Sequence, residues 1–81
     1  MKEIKVDSGK EIIVYTLLFP IVKIEKYSAR DGYLGMSENK FEKEYFLRSI
    51  EKYLLSIVEK SNVYIDGILQ TRNSIIQTII F

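Results

Sequence analysis

The stretch KEIIVYTLLFP, from Lys10 to Pro20, decides the fold of this chain, because its composition fits a strand while its spacing fits a helix. Isoleucine, valine and tyrosine favour extended backbone. Ile13, Leu17 and Pro20 nevertheless recur at the spacing of one helical face behind an Asp or Ser cap, and such a helix would end before Pro20. Local propensity by itself favours the strand by a small margin, so residues 10–19 remain open between helix and strand.

The segments on either side of this stretch alternate apolar and polar residues with the period of a strand. Lys2–Val6 places its two apolar residues on one side, and turn residues follow at Asp7–Gly9. Val22–Tyr27 alternates in the same way and leads to an Asp-Gly pair, which is a strong signal for a tight hairpin turn. We therefore predict a strand at each segment and a short return strand at Tyr33–Met36.

The segment Asn39–Lys60 carries the clearest periodicity in the chain. Apolar residues recur there at intervals of three and four and form one stripe: Phe46, Leu47, Ile50, Tyr53, Leu54, Ile57 and Val58. This spacing predicts a long amphipathic helix whose stripe faces the core. Asn39 and Glu42 have the spacing of a capping box at its start.

The last fifteen residues, GILQTRNSIIQTIIF from Gly67 to Phe81, contain no acidic residue and seven Ile, Leu or Phe. Six of these apolar residues, all except Phe81, also fall within one helical arc, with Arg72 in its middle. β-Branched residues dominate the end of the segment, however, and Gly67 and Asn73 are poor helix formers. We therefore favour one long strand, or a strand with a break near Arg72 and Asn73, that is held inside the sheet or against another subunit.

The assignment of residues 10–19 selects between two architectures for a single domain that spans residues 1–81. With a helix there, the element order predicts an α+β fold, a ferredoxin-like βαββαβ sandwich with one long amphipathic helix. With a strand there, the alternative is a βββαββ meander with a single helix. The two architectures differ in helix content by only this short segment.

The composition limits the chemistry that the chain can perform. Its 81 residues include no cysteine and no histidine, so thiolate chemistry, disulfides and the usual general base are absent. The acidic residues of the long helix are scattered around its surface and interleaved with lysines, which favours a solvated face over a metal site. We therefore expect no catalytic residue, no metal site and no cofactor, in a protein that is not an enzyme.

The apolar content points to self-association. Apolar residues make up 47% of a chain that is short for building a stable core of its own, so we expect a homo-oligomer. The longest uncharged apolar run, Ile12–Val22, is too short to span a bilayer, and we expect no membrane partner and a cytoplasmic location. The abundance of Ile, Lys, Glu and Tyr resembles the amino-acid usage of hyperthermophiles and of AT-rich archaeal or viral genes. If the protein is viral, we expect it in the host cytoplasm.

Short motifs spread over most of the chain are Val6–Glu11, Leu17-Leu18, Pro20–Val22, Tyr27-Ser28, Asp31–Tyr33, Gly67-Ile68 and Thr71–Ile76. Together they resemble the effector-binding domain of the leucine-responsive regulator family, which also occurs as a stand-alone module in archaea. The resemblance implies a domain that dimerises through its sheets and binds amino acids or other small effectors near the hairpin between its second and third strands. Leu34 stands where the family has an acidic residue.

The candidate ligand-binding residues are Arg30, Asp31, Gly32 and Tyr33, because loops on a rigid hairpin commonly carry binding. The same residues would also make an ordinary tight turn. We predict a non-enzymatic, homo-oligomeric module that binds a small effector or another protein.

The alternative function is that of a small nucleic-acid-binding or regulatory protein of an archaeal virus or mobile element. Lys23, Lys26 and Arg30 would then contact phosphates. The net charge of +1 arises from mixed charges without a basic block, which does not favour this alternative.

Overall fold

The computed structural model describes residues 1–79, in which four strands precede the first helix and two further strands precede the second. The elements are β1 (Glu3–Asp7), β2 (Glu11–Leu18), β3 (Ile21–Ser28), β4 (Gly32–Lys40), α1 (Lys43–Ile57), β5 (Asn62–Ile65), β6 (Ile68–Leu69) and α2 (Arg72–Thr78). All six strands form one antiparallel sheet in the order β4-β3-β2-β1-β5-β6. The α+β class is therefore confirmed.

The ferredoxin-like order is wrong, because residues 11–18 form strand β2 and not a helix. This strand pairs along its length with β1 on one side and β3 on the other, so its backbone groups are satisfied by two neighbours. Those ladders reinforce the strand propensity of its β-branched residues and outweigh the helical spacing. The βββαββ alternative is closer, but it lacks one strand before α1 and lacks the second helix.

A turn between β1 and β2 fixes the first hairpin. The Asp7 carboxylate accepts a hydrogen bond from the Gly9 N–H at 2.8 Å, and the Ser8 N–H donates to the Glu11 carbonyl at 3.0 Å. Gly9 has a φ of +87°, a conformation that glycine adopts at little cost. The predicted turn chemistry at Asp7–Gly9 therefore serves a strand–strand connection.

Asp66 joins the turn between β5 and β6 to the start of the chain. Asp66 and Gly67 both have positive φ, at +49° and +82°, as a tight hairpin turn requires. The Asp66 carboxylate accepts hydrogen bonds from the backbone N–H groups of Lys2 at 2.7 Å and Glu3 at 2.9 Å. These two hydrogen bonds hold the pKa of Asp66 below its ordinary value.

Helix α1 begins four residues later than the periodicity predicts, since β4 continues to Lys40. The cap is Glu42, whose carboxylate accepts from the N–H groups of Glu44 at 3.1 Å and Tyr45 at 2.7 Å. The predicted capping box at Asn39 is therefore wrong. The apolar stripe is confirmed for Phe46, Leu47, Ile50 and Leu54, which are buried, whereas Tyr53 remains 38% exposed.

The core lies on one face of the sheet, which we call the helix-side face. Its buried residues are Ile4, Val6, Leu17, Val22, Val63 and Ile65 of the sheet, with Phe46, Leu47, Ile50, Leu54, Ile75 and Ile79 packed against them. Register keeps the sheet residues together, since Ile4 lies opposite Ile65 and Val6 lies opposite Val63. Among residues 1–79, β4 and β6 contribute nothing to this buried set.

The other face of the sheet, which we call the open face, carries the alternate residues of each strand. In β1 and β5 these include Lys5 and Tyr64, and the Lys5 ammonium lies 4.7 Å from the centre of the Tyr64 ring. Both helices lie on the helix-side face, so the open face has no helical cover from the described part of the chain. Within residues 1–79, no helix is long and apolar enough to cross a membrane.

The predicted strand at Gly67–Phe81 is wrong for most of its length. Only Ile68–Leu69 is a strand, and residues 72–78 form α2. Thr71 caps this helix in a capping box with Ser74, while the Arg72 guanidinium donates to the Leu55 carbonyl of α1 at 2.9 Å. A cap and packing against α1 therefore override β-branched propensity. Ile80 and Phe81, the end of the predicted strand, lie outside the described residues.

The two isoleucines at the centre of α2 give a matched test of this correction. Ile75 is completely buried and Ile76 is 50% exposed. We expect Ile75→Ala to lower the free energy of unfolding by about 3 kcal/mol, because it leaves a cavity in the core. Ile76→Ala should cost less than about 1 kcal/mol, as exposed positions do. Urea unfolding followed by circular dichroism measures both, and equal losses would contradict the helical placement of this segment.

Candidate functional site

The predicted residues Arg30 to Tyr33 lie together at the turn between β3 and β4. The Ser28 hydroxyl accepts hydrogen bonds from the N–H groups of Arg30 at 3.1 Å and Asp31 at 3.2 Å, and Gly32 has a φ of +77°. Arg30 to Tyr33 are all exposed. The turn is thus a well-formed connection between strands, and the grooves described below are lined by other residues.

Beyond the turn, a bulge interrupts the pairing of β3 with β4. Lys26 lies opposite Gly35 and Tyr27 opposite Tyr33, so Leu34 is the extra residue on β4. The rings of Tyr27 and Tyr33 meet edge to face with their centres 5.3 Å apart. From Gly35 to Lys40 the pairing is regular, and the return strand is therefore much longer than the predicted Tyr33–Met36.

Strand β4 is exposed along almost its whole length. Within the nine residues of β4, only Gly35 is partly buried and the other eight are exposed. The strand packs on β3 and makes no comparable contact with another described element. Leu34 and Met36 are each 51% exposed. The strand therefore presents one edge and both of its faces to the surroundings.

Within residues 1–79, no strand pairs with the outer backbone edge of β4. The Phe41 N–H donates to the Pro20 carbonyl at 2.8 Å, which fixes the phase of the ladder between β3 and β4. Because an antiparallel ladder alternates, the backbone groups of Lys40, Glu38 and Met36 point away from β3. These three residues offer a row of free N–H and C=O groups at the rim of the sheet.

The three cations of the nucleic-acid alternative do not form one cluster. Lys23 lies on the open face, where its ammonium is 3.7 Å from the Glu25 carboxylate. Lys26 lies on the helix-side face, beside Ile24 and Ser37, and Arg30 is at the tip of the turn. The structure therefore brings Arg30 together with Asp31, Gly32 and Tyr33, but it separates Lys23 from Lys26.

A groove lined by aromatic residues lies between α1 and β2. It has a volume of about 280 Å³ and is lined by Tyr15, Phe41, Tyr45, Phe46, Ser49, Ile50 and Tyr53. Burial raises the pKa of Tyr15 to about 12, and the neighbouring Tyr53 adds to this shift. We did not predict this site from the sequence, although Tyr45, Ser49 and Tyr53 are spaced by four residues and so share one face of α1.

A second groove, with a smaller volume of about 220 Å³, lies on the helix-side face of β3 and β4. It is lined by Ile24, Lys26, Leu34, Gly35, Met36 and Ser37. No group of three or more acidic side chains within residues 1–79 is arranged to hold a metal ion. The polar side chains that line these two grooves and could orient a ligand are the tyrosines and Ser49 in the first groove, and Lys26 and Ser37 in the second.

Comparison with known proteins finds no match among family models, curated proteins or solved structures. The resemblance to the leucine-responsive regulator family therefore stays a prediction from the motifs alone.

The raised pKa of Tyr15 predicts how stability depends on alkaline pH. The unfolded chain loses the phenol proton near pH 10 and the folded chain near pH 12, so stability falls as pH rises through this window. We expect Tyr15→Phe to lose less stability than the unaltered chain as the pH rises from about 9 to about 12, as measured by thermal melts. At neutral pH the two proteins should melt similarly, because the hydroxyl has no hydrogen-bond partner within residues 1–79. Parallel curves throughout would show that Tyr15 is solvated.

Proposed function

We propose that this chain is a non-enzymatic protein-interaction module that assembles with further copies of itself. The observation that carries the proposal is the exposure of β4, an edge strand of nine residues that packs on β3 alone. A strand that pairs on one side only and has neither face covered buries little surface, and its open edge is a template for pairing with another chain. A partner on this part of the molecule would therefore stabilise it.

The sequence of β4 supports this proposal. Natural edge strands are commonly protected by proline, by charged residues or by being very short. β4 has no proline, and from Gly32 to Ser37 it carries no charge. The opposite edge, β6, is only two residues long and is followed by the cap of α2. The bulge at Leu34 protects one end of β4, and Gly35 to Lys40 remains free to pair.

The size of the core gives a second reason for assembly. An 81-residue chain buries a smaller share of its surface than a larger domain, so its stability margin is narrow. Here the buried set excludes both edge strands within residues 1–79. Association through β4 would add buried surface and new backbone hydrogen bonds without any change in the fold.

Light scattering on a size-exclusion column tests self-association directly. We expect a mass of at least twice 9.5 kDa at micromolar concentration, which decreases toward the monomer mass on dilution. A stable monomer throughout a micromolar dilution series would contradict the proposal.

Small-effector binding is a second candidate function. We assign it to the aromatic groove and not to the predicted turn at Arg30–Tyr33. Small-molecule sites are concave and mostly apolar, with a few polar groups that fix orientation. The groove beside Tyr15 has this character, since its hydroxyl groups stand on an apolar lining. Arg30 to Tyr33 instead project from an exposed turn.

Amide chemical shifts on addition of indole test this second candidate. We expect indole to shift the amide signals of Tyr45, Ser49 and Tyr53, because a planar apolar ring with one N–H donor suits stacking beside tyrosine hydroxyls. Ser49→Leu should abolish the shifts by filling the groove. Ser56→Leu is the control, since Ser56 is exposed on the same helix outside the groove. Shifts confined to Arg30–Tyr33 would support the turn instead, and an unchanged spectrum would defeat both sites.

A further inference from the structure

We infer that two copies of this chain join through β4, pairing antiparallel about a two-fold axis at Asn39, with Glu38 of each copy opposite Lys40 of the other. The inference rests on the self-association proposed above and names its surface and its register. It joins the two sheets into one continuous sheet of twelve strands, because each copy contributes six.

The free backbone groups restrict the registers that are available. Met36, Glu38 and Lys40 direct their N–H and C=O groups away from β3, and a second β4 can use them only if outward groups meet outward groups. The two-fold axis must therefore lie where a residue of one copy faces the same residue of the other copy, and not midway between two neighbouring residues. The same condition keeps the open faces of both copies on one side of the joined sheet.

Charge selects among the registers that remain. An axis at Glu38 would place the two Glu38 side chains directly opposite each other, which is unfavourable. An axis at Ser37 would place each Glu38 opposite Met36 and form no ion pair. An axis at Asn39 places Glu38 opposite Lys40 twice, and opposite charges at that position attract.

The charges within each copy extend the same pattern. Lys23 of β3 lies opposite Glu38 of β4 on the open face. In the inferred register the order across the joined strands becomes Lys23, Glu38, then Lys40 of the second copy. Each Glu38 thus lies between two lysines. The bulged end of β4 at Leu34 lies outside this contact, so its irregular backbone does not interfere with the pairing.

Charge-reversal variants test the register through a pattern of complementation. Each dimer has two pairs in which position 38 of one copy faces position 40 of the other. E38K alone places lysine opposite lysine in both pairs, and K40E alone places glutamate opposite glutamate in both pairs. We expect each single variant to raise the dimer dissociation constant about tenfold or more by analytical ultracentrifugation. An equimolar mixture of E38K and K40E should dimerise as the unaltered chain does, and so should the double variant E38K/K40E.

The control for K40E is K60E, which makes the same change in net charge as K40E at an exposed lysine far from β4, and it should dimerise normally. Recovery of the dimer in the mixture would exclude misfolding of the single variants. Single variants that dimerise as tightly as the unaltered chain would overturn this inference and leave self-association standing. Loss of the dimer without recovery in the mixture would overturn the register. An unaltered chain that is monomeric would overturn the proposed function as well.

Discussion

Two helices cannot cover a sheet of six strands, and the rest of this structure depends on that limit. A helix with its side chains is about 10 Å across and strands are spaced about 4.8 Å apart, so one helix covers about two strands. α1 and α2 pack on one face and bury residues of β1, β2, β3 and β5. β4 lies beyond their reach. β4 is exposed because there are too few helices to cover it. This exposure leaves the strand available for the self-association that we propose.

The strand β1 holds the two halves of the chain together. It pairs with β2, its neighbour in sequence, and with β5, which follows α1. Asp66 strengthens this junction by accepting hydrogen bonds from the backbone of Lys2 and Glu3. The junction places Ile4 and Val6 at the centre of the core, where both are buried. Within residues 1–79, β4 has no such second attachment, because it pairs with β3 alone, and its outer backbone edge is therefore accessible.

The sequence located the hairpin that carries the candidate interaction surface, but it did not locate the surface itself. Asp31-Gly32 marks the turn correctly because the conformation of such a pair is a local property. The free edge of β4 depends on which strands lie beside it, and that is a property of the whole sheet. The aromatic groove was missed for a related reason, since Tyr15 and Tyr53 come together only when β2 packs under α1.

The amphipathic helix, the alternating segments around it and the tight turns can be predicted from the sequence, because each depends on residues close together in the chain. The composition also excludes thiol and imidazole chemistry. The conformations of residues 10–19 and 72–78, in contrast, depend on residues that are distant in the chain. β2 is a strand because β1 and β3 satisfy its backbone from both sides, and residues 72–78 are a helix because Ile75 and Arg72 find their contacts in the core and on α1. In both segments the two local preferences are nearly balanced, and distant partners supply the energy that separates them.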